Sequence, residues 1–302
     1  VTAMPGDKVL RLPSYGGQAV MEGVLMRGKR NVAMAVRVPS GEIMTYEEEL
    51  PNLYRSKWMK IPFVRGVIGL WDSLNLGTRL LMKSANLASG EEEQIEGTAL
   101  VGTVAISLLL GVGIFFVLPA FLAGLAENFL SLTPWWSNLL EGLFRLVILV
   151  SYLAIMGRVP EIQRVFAYHG AEHKTINTFE SGLDLTPEEV SKQTLVHPRC
   201  GTSFILTLVF ISVLIFTLLG PLPIHWRVIS RILMLPLVSG IAYEYIRFAA
   251  NWMDKSALVR WLIKPNLWLQ KLTTREPSSD MLEVSITAFN LMIEAENRPS
   301  EV

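Results

Sequence analysis

The sequence predicts an α+β integral membrane protein: about four transmembrane helices, a small N-terminal cytoplasmic β-sheet and a cytoplasmic helical link. Three observations predict it. Hydrophobic residues make up 51% of the 302 and mean hydropathy is positive, above the balance of ordinary soluble domains. Four apolar blocks each approach the ~20 residues that cross a hydrocarbon core ~30 Å thick. Ahead of them, short apolar runs are punctuated by turn residues, as strands are.

The elements follow in order. The opening stretch VTAMPGDKVLRLPSYGG lacks the apolar centre of a secretory signal, so insertion is expected to rely on internal segments. Residues 18–27, 31–39 and 42–49 read as strands, with turns at Gly28-Lys29-Arg30 and Ser40-Gly41. Gly16 and Gly17 permit positive φ or close backbone approach. Glu22 interrupts an apolar strand and is expected to face water at the sheet edge. Residues 61–84 carry Phe63, Val67, Leu70, Leu74 and Leu81 at helical spacing, which fits an amphipathic interfacial or packed helix. Gly90-Glu91-Glu92-Glu93 reads as a solvated link that closes an N-terminal unit, residues 1–95.

Two apolar blocks, 98–125 and 135–156, form a first helix pair within residues 96–157. Glu141 and Arg145 are the charges of the second block; four residues apart, they share a helix face and can pair. Blocks 204–222 and 228–250 form a second pair. Trp135, Trp136 and Trp226 sit at block ends, as interfacial aromatics do. Residues 126–134 contain no Lys or Arg, whereas the link 158–203 contains Arg158, Arg164, Lys174, Lys192 and Arg199. The positive-inside rule then makes that link and both termini cytoplasmic, in a multi-pass cell-membrane protein. The tail, 251–302, holds a loop, TTREPSSD, and an amphipathic helix from Asp280 to about Glu296.

The link carries the chemistry. In YHGAEHK, His169, Glu172 and His173 read H-x-x-E-H. Pro160 suits a helix start and Gly182 a stop. The apolar positions Ile162, Val165, Phe166 and Ile176 continue through His169, Glu172, His173 and Glu180, which places these groups on the core-facing side. Imidazoles four apart lie one turn apart and can share one zinc ion. H-x-x-E-H is the inverted zinc-peptidase spacing, with the glutamate as general base. The five-residue match fits equally well a helix turn with ordinary histidines. Context favours a metal: His197 and the single cysteine, Cys200, follow in HPRCG. A capping box at Thr186-Pro187-Glu188-Glu189 opens a short helix that can fold them back toward His169 and His173.

Four protein ligands would make a closed, structural zinc site; three would leave a position for reaction. Glu172, Glu180 and Glu244 are the alternatives for a third ligand. Glu244, in GIAYEYIR, is a carboxylate inside the fourth apolar block and hence a functional candidate, with neutralisation by Arg247 as the plain alternative. A lone thiol allows no internal disulfide and suits a reducing compartment or a metal. The formal net charge of zero and the lack of a basic run argue against a nucleic-acid partner; the lipid bilayer, and other membrane proteins, are the expected partners.

Five segments carry a resemblance: GGQAVMEGVLMRG (16–28), YHGAEHKTINTFE (168–180), HPRCGTSF (197–204), GIAYEYIR (240–247) and LTTREPSSDMLEVSI (272–286). In these the chain resembles a bacterial membrane-protein family, the domain-of-unknown-function 1385 (YqhQ-like) family. The resemblance implies a metal-dependent enzyme, with metal through His169, Glu172, His173, His197 and Cys200, and supplies no substrate. Two functions compete. One is a metal-dependent hydrolase at the cytoplasmic membrane face, with His169 and His173 on zinc, Glu172 activating water, and a peptide or lipid-linked substrate. The other is a zinc-stapled scaffold that assists membrane-protein insertion or assembly. Transport is weaker, because the small outer links leave little room for inverted repeats.

Overall fold

The computed structural model describes residues 15–298 apart from 52, 54, 55, 90–96, 220, 221 and 254. The expected link at Gly90 to Glu93 lies outside the described residues, as does most of the opening stretch before Tyr15. The chain is mostly helical, with one four-stranded antiparallel sheet in the order β1-β2-β3-β4.

The run expected as one strand, 18–27, is a hairpin of β1 (Gly16–Val20) and β2 (Gly23–Arg27). Val20 pairs with Gly23, so Met21 and Glu22 form a two-residue turn. Glu22, the second turn residue, takes a left-handed φ of 50°. Its carboxylate does not simply face water: it accepts two hydrogen bonds from Arg164, at 2.6 and 2.5 Å. β3 (Asn31–Arg37) and β4 (Ile43–Glu49) complete the sheet.

Strand alternation explains how helices cover both faces. Val24, Met26, Ala33 and Ala35 point to one core, with Tyr168, Phe289 and Met292. Leu25, Val32, Met34 and Val36 point to the other, with Leu76 and Leu80. With both faces buried, β2 and β3 read as continuous apolar runs rather than alternating ones. The first face packs on α6 (Pro160–Glu180) and α12 (Ser279–Asn297); the second packs on the amphipathic stretch expected at 61–84. That stretch is α1 (Val64–Asp72), a π-helical turn (Ser73–Gly77) and α2 (Thr78–Ser89).

Among the described residues, three helical segments are long and apolar enough to cross a membrane: Gly102–Leu130, Trp135–Met156 and Gly201–Leu218. The first runs through α3 (Gly97–Val112), a π-helical turn (Gly113–Val117) and α4 (Leu118–Leu130); the others are α5 (Pro134–Met156) and α8 (Gly201–Leu218). The fourth expected span is broken. α9 (Ile224–Leu233) and α10 (Leu235–Trp252) meet at 47°. Pro236, which lacks an N–H and crowds the carbonyl four residues back, accounts for the break.

Charges buried among these helices have hydrogen-bonded partners. Glu141 pairs with Arg145 at 2.8 Å, as the spacing predicts, and also with Arg231 of α9 at 3.0 Å. Arg145 Nε donates to the Phe115 carbonyl at 3.0 Å. The short α7 (Pro187–Ser191) starts at Thr186, whose hydroxyl accepts from Glu189 N as the capping box requires. A further helix, α11 (Ala257–Thr273), has no counterpart in the sequence reading.

Candidate metal centre

The cluster forms where three segments meet: the middle of α6, the loop 192–200 after α7, and the C-terminal end of α11. Among the described residues, one group of His, Cys, Asp and Glu side chains brings three ligand atoms within 4.8 Å of one another, from His169, His173 and Cys200. The imidazoles are one turn apart on α6, with ring centroids 4.4 Å apart. His169 Nε2 lies 3.1 Å from Cys200 Sγ. Cys200 is the N-cap of α8, where its sulfur also accepts from Thr202 N at 3.4 Å.

Each imidazole is held by its other nitrogen. His169 Nδ1 donates to the Thr273 carbonyl at 2.8 Å, and His173 Nδ1 to the Leu195 carbonyl at 2.5 Å. These bonds fix the tautomer that leaves both Nε2 atoms unprotonated, that of His169 facing the Cys200 sulfur, the usual outer arrangement of a metal-binding histidine. His173 Nε2 is buried and has no hydrogen-bond partner. An orphaned buried acceptor is costly and suits a cation. By donor chemistry and by this orphaned atom, the residues could hold a metal ion.

His197 is brought close but stands apart from the trio. Its ring centroid is 5.7 Å from that of His173. Its Nε2 is buried without a hydrogen-bond partner and lies 3.6 Å from Glu180 Oε2. Burial keeps the His197 pKa below its ordinary value and so favours the neutral ring, which can ligate. Glu180 pairs with Arg199.

Glu172 lies inside the cluster's shell. Its carboxylate is 4.0 Å from His169 Nε2. Burial pushes its pKa up to about 7, against the opposing pull of His169 and a hydrogen bond from the Gly17 backbone. A side chain at position 17 would place Cβ 2.7 Å from Glu172 Cγ and 2.8 Å from the Leu25 carbonyl. Glycine there is what lets strand β1 close over the carboxylate.

Glu244 is placed elsewhere. It is bound by Arg65 of α1 and by the Phe63 amide at 3.2 Å, so Arg65, not Arg247, is its hydrogen-bonded partner. One further expectation needs adjusting. α6 is buried almost all round from Ala167 to Ile176, so burial alone does not single out the H-x-x-E-H face. The outer carbonyls of Thr273 and Leu195, and Gln270 beside them, carry no motif that could have announced them; TTREPSSD is only a loop to the eye. Neither of two cavities, about 640 Å³ beside α7 and about 600 Å³ between α5 and α8, is lined by the cluster.

Fold and site together define a mostly helical protein with three or four candidate membrane spans, a small antiparallel sheet and a buried His–His–Cys cluster. The chain belongs to the family described as "Protein of unknown function (DUF1385)", which matches residues 61–295 and so includes the whole cluster. It is similar to "Uncharacterized protein YqhQ" of Bacillus subtilis (strain 168), 36% identical over 301 residues, covering 94% of this chain and 93% of that one. No solved structure matches.

Proposed function

We propose that this chain is a membrane-embedded, zinc-dependent hydrolase working at the cytoplasmic membrane face. The observation that carries the reading is the convergence of one ligand atom each from His169, His173 and Cys200 within 4.8 Å. Three protein donors would hold the ion and leave a position for substrate. When bound, zinc would supply Lewis acidity toward a carbonyl or phosphoryl oxygen. Glu172, whose carboxylate lies 4.0 Å from His169 Nε2, would take and return the proton. A peptide or lipid-linked substrate suits a site beside candidate spans.

A specific observation favours a second reading. His197 sits beside His173 with its Nε2 orphaned, and His173 and Glu172 are almost fully buried. With His197 as fourth ligand the ion would be a closed staple, tying α6 to the start of α8 and supporting a scaffold in membrane-protein assembly. The test is Glu172→Gln in zinc-loaded protein, assayed on a fluorogenic peptide pool and a lipid-linked ester. Turnover lost with zinc retained supports the hydrolase. Zinc retained, no turnover in either protein, and unfolding on chelation would leave the staple; no zinc in the unaltered protein removes both.

A further inference from the structure

We infer that Gln270 is the positioning residue of this centre: its side-chain amide fixes the His197–Cys200 turn, and so the thiol, against the imidazoles of α6. The inference rests on the metal reading above and adds a residue outside the ligand set.

Gln270 is completely buried in α11. Its Oε1 accepts from His197 N at 2.9 Å, and its Nε2 donates to the His197 carbonyl at 2.8 Å and to Ser203 Oγ at 2.7 Å. The amide orientation is forced: a flip would set donor against donor at His197 N and acceptor against acceptor at His197 O. The same His197 carbonyl accepts from Cys200 N at 3.3 Å, closing the turn that ends in the thiol. Leu195, two residues earlier on this loop, supplies the carbonyl that holds His173. Three residues beyond Gln270, the Thr273 carbonyl holds His169. One helix end therefore holds His169 directly and, through the loop, indexes the thiol and the partner of His173.

A purely structural role makes a different forecast, and α11 carries its own control. Asn266, one turn earlier, is buried and donates to Thr207 Oγ1 of α8 at 2.8 Å, with no contact to the cluster. Removing either amide should loosen α11 from α8; only Gln270 should disturb the thiol. Full-length protein in detergent is titrated with Co²⁺, and the thiolate-to-cobalt absorption is followed. Unaltered protein and Asn266→Leu should show the same band. Gln270→Leu should bind cobalt about 10- to 100-fold more weakly and lose much of the band. In metal-free protein, iodoacetamide should label Cys200 faster in Gln270→Leu than in the other two. Should Gln270→Leu not fold, Gln270→Glu, which keeps the acceptor and loses both donors, is read in its place with the same expected direction. Equal affinity, band and labelling rate in Gln270 and Asn266 variants would overturn the assignment. If unaltered protein takes up no cobalt, the metal reading falls, and the labelling rates alone decide whether Gln270 sets Cys200.

Discussion

Gly170→Ala sets two effects against each other, and the structure decides the sign. Gly170 lies in mid-α6, next to His169. In an open helix, alanine would be the better residue by about 1 kcal/mol. Here a methyl at position 170 would sit 2.1 Å from the Arg275 carbonyl oxygen and 2.8 Å from Leu195 Cδ2. The first is backbone, in a segment pinned by Arg275 N donating to the Phe166 carbonyl at 2.9 Å. It cannot swing aside as a side-chain tip can. Overpacking of this kind costs roughly 1–3 kcal/mol, and so deep an overlap belongs at the upper end. The net expectation is a loss of about 1–2 kcal/mol, or a Tm lower by roughly 2–8 °C. Because the displaced segment includes Thr273, and Leu195 is crowded too, zinc should also bind more weakly. Gly69→Ala in α1 is the control: among the described residues the added methyl comes within 4 Å of Tyr243 alone, at 3.9 Å, and should be neutral or stabilising. Thermal melting in detergent, with and without zinc, reads both. Gly170→Ala melting at or above the unaltered protein would refute the reasoning, since the predicted contact would then not exist.

Three other substitutions follow from the same structure. His173→Ala should lower bound zinc to background in a metal assay, because it removes the central donor of the cluster. Glu141→Gln should destabilise by about 3–5 kcal/mol, seen as a lower Tm, because it leaves Arg145 and Arg231, both almost fully buried, without their carboxylate. Metal-free protein should lose stability as pH rises from 4.5 through 7, because folded Glu172 keeps a proton that the unfolded chain gives up over that window. Glu172→Gln should flatten that slope in pH-dependent melts.

The sequence made the centre of the site legible and left its surroundings hidden. H-x-x-E-H is local, so helical spacing alone puts His169 and His173 on one face. Cys200 could be drawn in because it is the single thiol, on the same link as three of the four histidines. What encloses the cluster is long-range backbone. The Thr273 carbonyl comes from 104 residues beyond His169, and a carbonyl leaves no mark in residue identity. Gly17 permits close approach, yet nothing local says that Glu172 is what approaches. The hydrogen-bonded partner of Glu244 is hidden for the same reason: Arg65 is 179 residues away, whereas Arg247, near in sequence, acts on the carboxylate through its charge.

The fold divides along similar lines. Candidate spans announce themselves by composition, and the Trp135–Met156 block appears with the bounds its apolar run suggests. The break between α9 and α10 had a visible cause in Pro236, but the apolar run continues across it and masks the bend. α11 escaped notice because Pro265 lies inside it and its large residues Leu258, Trp261 and Trp268 face outward, which blurs a core-facing stripe. The 18–27 run looked like one strand because its turn uses Met21 and Glu22 rather than glycine or asparagine.

Zinc-edge X-ray absorption on the intact, purified protein tests the central claim most directly. The account predicts one zinc per chain with a single sulfur at ~2.3 Å and two or three imidazole nitrogens at ~2.0–2.1 Å, and loss of the sulfur shell in Cys200→Ser. A folded protein with no zinc edge, or a first shell of oxygen alone, would contradict it.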